Sequence, residues 1–436
     1  MVDPRLNRIG QISAAGKRVE NLACLINVNS LMDVHRRMDG RKATGIDRVS
    51  KEDYNEKADE NLTALVKRMA SGGYYPHPSR RVYIDKPGSK KKRPLGISCY
   101  EDKLVEHAVA EILTEVYEPK FMDFSYGFRP NKSCHQAIQE VIYRIQGFTN
   151  YVVEADIRSF FDTLDHDWLL KMLEHDIADK KFLEIIRRFL KAGIMENGKF
   201  LEADRGSPQG NGASPICANV YLHYVLDLWF EKHVKPSCRG EAHLIRYADD
   251  FVCTFQYWGD AKRFYEELPK RFEKFGLSLA EEKTRIVEFG RFAEENRARR
   301  GEGKPETFDF LGFTFYCSES TKGKFLVKVK SSRKKVSNKL KKLNIWLKEN
   351  RHLPVSILIE KLSRSLRGYY QYYAVTCNVW NVGTFRYQTE RLLFKWLNRR
   401  SQKRSYNWAQ FFDLLKKFPL PTPKCCFNVY EFRTIS

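Results

Sequence analysis

Leu244-Ile245-Arg246-Tyr247-Ala248-Asp249-Asp250-Phe251-Val252-Cys253-Thr254-Phe255 is the stretch that decides how this chain is read. Apolar and β-favouring residues flank a short polar break, the pattern of a tight β-hairpin with Asp249 and Asp250 at its tip. Adjacent carboxylates repel, and each is costly to hold beside an apolar sheet unless something neutralises it. A divalent cation does so, and hard carboxylate oxygens suit Mg2+. Alone, an Asp-Asp pair reads as a solvated turn. An upstream acidic site, Tyr151-Val152-Val153-Glu154-Ala155-Asp156-Ile157-Arg158-Ser159-Phe160-Phe161-Asp162, changes that reading. Its β-branched run ends in Asp156, an aromatic pair follows, and Asp165 stands as the N-cap of a helix. A carboxylate where strand becomes helix is rigidly held yet open to substrate. One such aspartate plus a hairpin pair supplies three ligands for two metals ~4 Å apart, the arrangement that stabilises attacking and leaving oxygens in nucleotidyl transfer.

Further blocks follow outward from these two in a fixed order. They are Lys42-Ala43-Thr44-Gly45-Ile46-Asp47, Arg93-Pro94-Leu95-Gly96-Ile97 and Ser125-Tyr126-Gly127-Phe128-Arg129-Pro130 before the Asp156 block. After it come Gly206-Ser207-Pro208-Gln209-Gly210 with Ser214-Pro215, the Tyr247–Asp250 hairpin, Glu282-Lys283-Thr284 and Phe310-Leu311-Gly312-Phe313. Leu366-Arg367-Gly368-Tyr369-Tyr370 and Phe394-Lys395-Trp396-Leu397-Asn398-Arg399-Arg400 close the series. In this order the blocks resemble the reverse transcriptases encoded by bacterial and organellar group II introns, over nearly the whole chain.

That resemblance implies an α+β right-hand polymerase fold. Residues 1–125 would form an N-terminal extension and fingers, 126–320 the palm with part of the fingers, and 321–436 a basic helical thumb or maturase domain. It implies RNA-directed DNA synthesis with two Mg2+ ions, Mn2+ substituting, held by Asp156, Asp249, Asp250 and the Ile157 carbonyl. Lys86, Arg93, Gln209 and Lys283 would meet the incoming dNTP. Phe161, or its neighbour Phe160, would select against a 2′-hydroxyl; either ring also reads as core. Arg129, Lys334, Lys335, Lys341, Lys342, Arg364, Arg367, Arg399 and Arg400 would contact nucleic acid. The implied partners are an RNA template, a DNA or RNA primer and dNTPs. Departures from the family pattern are Asp85 and Ser98, where relatives commonly carry proline, and the loop filling Asn211-Gly212-Ala213.

Charge points the same way. The chain carries a formal net +22. From Thr321 to Arg404 there are 22 Lys or Arg against Glu349, Glu360 and Glu390, a net of +19. The last 32 residues add +2, so residues 1–320 contribute only +1. A solvated helix face explains ordinary charge runs, but this density self-repels without a polyanionic partner and fits phosphate binding. No run of eighteen apolar residues is present, so no membrane span is expected. Ten cysteines without a CxxC pair suit a reducing compartment and argue against a zinc site. With no apolar leader, a cytoplasmic location in a bacterial host is expected, an organelle being the alternative.

Periodicity supplies the elements. Arg80–Ile84 and 93–98 read as a hairpin around a basic tip at Lys86 to Lys92, and 101–118 and 133–145 as core helices. Residues 171–189 read as one helix, Pro215–Val234 as another and 260–275 as a third. A strand is expected within 277–289, a mobile loop at 292–306 and a strand at 308–316. Val336, Leu340, Leu343 and Leu347 form one stripe of a basic amphipathic helix, with similar helices at 358–374 and 384–400. No cluster like that of an HNH nuclease follows, so an endonuclease domain is not expected. Two alternatives share these features: a splicing maturase with little polymerase activity, and a reverse transcriptase recruited to host defence or repair. A third, an RNA-dependent RNA polymerase, is disfavoured by the Phe160-Phe161 pair.

Overall fold

A computed structural model describes residues 4–85, 92–206, 210–401 and 405–431. Its strands are β1 (Ser79–Asp85), β2 (Lys92–Ile97), β3 (Tyr151–Asp156), β4 (Ile194–Glu196), β5 (Lys199–Leu201), β6 (Ala242–Tyr247), β7 (Asp250–Phe255), β8 (Arg285–Glu288), β9 (Phe308–Phe310), β10 (Phe313–Glu319) and β11 (Phe325–Ser331). They form three sheets, in the orders β2-β1-β4-β5, β6-β7-β3-β8 and β11-β10-β9.

The β6-β7-β3-β8 sheet is antiparallel throughout and covered on both faces. Successive strand residues point to opposite faces, so Val152 and Val153 enter different cores. Val153, Ala155, Phe251 and Cys253 join the core beneath the Tyr100–Tyr117, Ser214–Leu222 and Trp258–Glu273 helices. Val152, Ile245, Val252 and Val287 pack with the Cys134–Gln146 helix and with β9 to β11. Both valines are fully buried, a stabilisation of about 1.5–3 kcal/mol each. A charge at either would break the sheet's cover.

β1 and β2 pair in antiparallel register, as the hairpin reading expects. The 171–189 helix is instead two, His166–Asp176 and Lys180–Lys191. Asp179 breaks the run: its carboxylate caps Phe182 N–H and also accepts the Ala23 N–H at 2.8 Å, a tertiary contact invisible in local periodicity. The helix from Ser214 continues through π-helical turns at His223–Asp227 and Phe230–Val234. The expected loop at 292–306 contains a helix, Ala293–Arg299, in which Arg299 pairs with Glu295 one turn earlier at 2.5 Å. The expected 308–316 strand is a hairpin of β9 and β10, turned at Leu311 and Gly312 with φ of 48° and 80°.

β11 pairs with β10 over Phe325–Ser331, and the basic helices Arg333–Asn350, Val355–Tyr373 and Val379–Leu397 follow. They build their own core from Leu343, Leu347, Leu358, Leu362, Leu366, Phe385 and Leu393, with Val336 and Leu340 packed at its edge. Tyr369, Tyr370 and Trp396 are in that core too, so most of the helices' aromatic residues are structural. No helix among the described residues is long and apolar enough to cross a membrane.

Candidate active site

The carboxylates come together through strand register. Asp156 ends β3 and lies directly opposite Asp250, the first residue of β7. Tyr247 pairs with Asp250 across the hairpin, leaving Ala248 and Asp249 as its two-residue turn. Ala248 takes φ +57° there, the left-handed conformation such a turn demands. A non-glycine residue rarely stays in that region without support, and here the support is visible. Arg246, fully buried, donates from Nη1 to the Ala248 carbonyl at 3.0 Å and to Asn219 Oδ1 at 3.0 Å. Its Nε and Nη2 bind both oxygens of buried Asp227, at 2.8 and 2.5 Å. Asn219 in turn donates to the Gly127 carbonyl at 2.7 Å, and Tyr126 N–H donates to the Arg246 carbonyl at 2.8 Å. The Ser125–Pro130 block thus braces the aspartate turn from behind.

Local sequence pattern does not reveal this network, because its members lie far apart in the chain, from Gly127 through Asn219 and Asp227 to Arg246. Its signal was a charged residue at an inward strand position, Arg246, and an opposite charge, Asp227, in an apolar helix run.

Crowding shows in the titration of the site. Asp250 keeps an edge open to solvent, yet desolvation, then the like charges of Asp249 and Asp156, push its carboxyl up to about 6. Asp249 is also raised, chiefly by desolvation and then by Asp156, with Arg93 and Arg246 opposing. Asp156 is paired with the ammonium of Lys283, whose own proton is held more tightly through that contact. A cation is therefore already drawn to these carboxylates, and hard oxygen donors with unrelieved repulsion fit divalent metal. Their oxygens do not all converge on one point: among the described residues, the set of three or more His, Cys, Asp or Glu side chains with ligand atoms all within 4.8 Å of one another is His77, Cys99 and Asp102. That trio is a hydrogen-bonded hub. Asp102 accepts from Tyr74 Oη at 2.7 Å and the His77 amide at 3.0 Å, while burial pushes the Cys99 thiol up to about 11.

Of the residues expected near the nucleotide, Lys86 and Gln209 lie outside the described residues. Arg93 is exposed on β2 and close enough to counter the charge of Asp249. Phe160 is 2 % exposed in the core, against Phe161 and Tyr221, whereas Phe161 is half-buried. Ile157 is buried and bridges to Leu279. Gly206 has φ +84°, and a Cβ there would meet the Phe161 and Asp162 carbonyls at 2.9 Å, so this loop is packed onto the backbone behind Asp156.

The basic residues divide. Lys334, Lys335, Lys341, Lys342, Arg364, Arg367 and Arg399 are exposed, and Lys335 is near enough to lower the Asp250 carboxyl. Arg400 is half-buried and donates to the Leu353 carbonyl at 2.8 Å. Arg129 does not lie on the surface expected of it. It is buried, holds both oxygens of Glu118 and donates to the Met122 and Ser125 carbonyls at 2.6 and 2.8 Å.

The family model described as reverse transcriptase (RNA-dependent DNA polymerase) matches residues 84–315, more than half of the chain, and the chain belongs to that family. It is 36% identical over 248 residues to the group II intron-encoded protein LtrA of Lactococcus lactis subsp. cremoris, covering 55% of this chain and 41% of that protein. It is 35% identical over 206 residues to the protein YkfC of Escherichia coli, covering 46% of this chain and 54% of that one. It is also similar to the mitochondrial nuclear intron maturase 2 of Arabidopsis thaliana, 26% identical over 96 residues, 22% of this chain and 13% of that protein. The chain spans about half or less of the length of these relatives.

Proposed function

We propose that the protein is an RNA-directed DNA polymerase of the group II intron type that also binds its parent intron RNA as a maturase. The register that sets Asp156 opposite Asp250, with Asp249 in the adjoining turn, is the observation that carries this reading. The β6-β7-β3-β8 sheet is then the palm, the β1–β2 hairpin belongs to the fingers, and the helices from Arg333 are the thumb. Asp156, Asp249 and Asp250, with the Ile157 carbonyl, would hold two Mg2+ ions, or Mn2+ in their place. Such ions, when bound, acidify a primer 3′-hydroxyl and neutralise the charge that gathers on departing pyrophosphate.

The chain's own residues do the rest. Lys283 leaves Asp156 and turns its ammonium to the triphosphate; Arg93, whose charge already counters that of Asp249, adds fixed positive charge. Half-buried Phe161, five residues after Asp156, closes the space a ribose 2′-hydroxyl would need; buried Phe160 packs against it from the core. Lys334, Lys335, Lys341 and Lys342, exposed on one helix, neutralise template and primer phosphates.

Primer extension on an RNA template tests this, with Phe161→Ala beside the wild type and NTPs as competing substrates. Extension with dNTPs, and NTP use gained by Phe161→Ala, is the expected outcome. Folded protein that binds structured RNA but never extends a primer leaves the splicing-maturase reading, which the basic C-terminal helices favour independently.

A further inference from the structure

Two of the three departures from the family pattern, Ser98 and the Asn211-Gly212-Ala213 filling, meet at one buried carboxylate. Glu106, on the Tyr100–Tyr117 helix, is 1 % exposed. Its Oε1 accepts from the Ser98 hydroxyl at 2.5 Å and from Asn211 Nδ2 at 2.8 Å; its Oε2 accepts from the Gly212 N–H at 3.0 Å. Ser98 directly follows β2, and a proline there offers no hydroxyl. Asn211 belongs to the unusual loop filling; its Oδ1 also accepts the Ala213 N–H at 2.8 Å, at the entry of the Ser214–Leu222 helix.

Glycines let the loop lie this close. A Cβ on Gly212 would come within 3.3 Å of Glu106 Cβ. One on Gly210, at φ +110°, would come within 2.8 Å of the Gly96 carbonyl in β2. The near end of the same loop, at Gly206, is packed against the backbone of Phe161 and Asp162. Gly206 thus stands against the backbone at the candidate sugar-selecting residue, and Gly210 against the strand bearing Arg93.

Among the described residues no Lys or Arg forms an ion pair with Glu106, although Lys103 and Asp102 flank it on its own helix. Burial pushes the carboxyl up to about 7, while the Ser98 hydroxyl and the Gly212 amide hold it down. A buried carboxylate without a cation is costly unless its acceptor capacity is used, and here three donors use it. A side chain placed only to fill the core at this position would be apolar.

We propose that Glu106 is a positioning residue: its carboxylate latches the Gly210–Ala213 limb of the loop to the end of β2, setting the spacing between Arg93 and Phe161 across the nucleotide site. This rests on the polymerase reading given above. The latch acts through the loop and touches no substrate. Loosening it degrades dNTP binding more than the chemical step, because Asp156, Asp249 and Asp250 stand on other elements.

Glu106→Gln places an amide NH2 against donors and breaks the latch. In Glu106→Gln/Asn211→Asp the amide and carboxylate change places and a donor faces an acceptor again. Two readouts are taken on the full chain: dNTP KM and kcat in primer extension, and hydrogen exchange of the peptide carrying the Gly212 amide. Glu106→Gln is expected to raise dNTP KM about ten-fold with kcat changed less than about threefold, and to speed exchange at Gly212. The swapped double variant recovers most of both losses. If Glu106→Gln does not fold, Ser98→Ala removes one donor and shifts both readouts in the same direction. A KM within about twofold of wild type, unchanged exchange, or a double variant no better than the single one overturns the latch. A wild type that extends no primer sinks the polymerase reading alone, and exchange at Gly212 then decides the latch.

Discussion

Gly127→Ala strikes the aspartate turn without touching an aspartate. A Cβ at Gly127 would stand 2.3 Å from Ala248 N, 2.9 Å from the Tyr247 carbonyl carbon and 3.0 Å from Ala248 Cα. All three are backbone atoms, so no side chain can swing aside. Restoring the 3.4 Å of ordinary contact requires the hairpin turn or the Ser125–Pro130 segment to move by about 1.1 Å. The turn is tied down by Arg246 at the Ala248 carbonyl, and the segment by Asn219 at the Gly127 carbonyl. The strain therefore reaches Asp249 and Asp250. Overpacking of this kind costs about 1–3 kcal/mol, and a displacement of about 1 Å in a reacting group costs about 100-fold in rate. The assay pairs single-nucleotide incorporation under saturating dNTP with thermal melting. Gly383→Ala, where a Cβ would meet nothing within 4 Å, is the control and should match wild type. Gly127→Ala incorporating within about threefold of wild type would refute the claim that this packing positions the carboxylates.

Other perturbations reach different parts of the account. Arg246→Met strands the Asp227 charge in the core and should cost about 3–5 kcal/mol in urea unfolding; adding Asp227→Leu should recover stability but not incorporation, and equal stability of single and double variants would contradict the pairing. Asp250 has a folded-state pKa of about 6 against an ordinary 3.8, so the native state binds the extra proton and stability falls as pH rises between those values. Without divalent ions, Asp250→Asn should therefore melt above wild type at pH 7, the difference closing towards pH 4, and Mg2+ should stabilise the wild type more than the variant. Equal melting temperatures at every pH would sink that account. Alanine at Lys334, Lys335, Lys341 and Lys342 should lower the salt slope of RNA binding by about one per phosphate-contacting lysine; an unchanged slope would remove those residues from the interface.

The site's core was legible because its signals are local. Period-two alternation around Asp249 and Asp250, and a β-branched run ending at Asp156, fixed strands whose register then brought the carboxylates together. The stripe through Leu343 and Leu347 was equally plain. What escaped depends on partners far along the chain. Glu106 sits among Leu104, Val105, Ala108 and Val109 as any helix residue might, and its partner Asn211 is 105 residues away. Arg129 looks like a surface cation until Glu118 and two carbonyls are seen around it. The 292–306 stretch lacks an apolar stripe, and its helix draws on Glu–Arg pairs instead, with Ala293 as its one buried residue.

The central claim is that Asp156, Asp249 and Asp250 hold the catalytic metals. Fe2+ in place of Mg2+, with primer on RNA template, the next dNTP, ascorbate and peroxide, cuts the polypeptide where the ion is held. The account expects backbone cuts at the end of β3 near Asp156 and at the β6–β7 turn, suppressed by excess Mg2+ and lost in Asp249→Asn. Cuts confined to other segments, or persisting unchanged in Asp249→Asn, would contradict it.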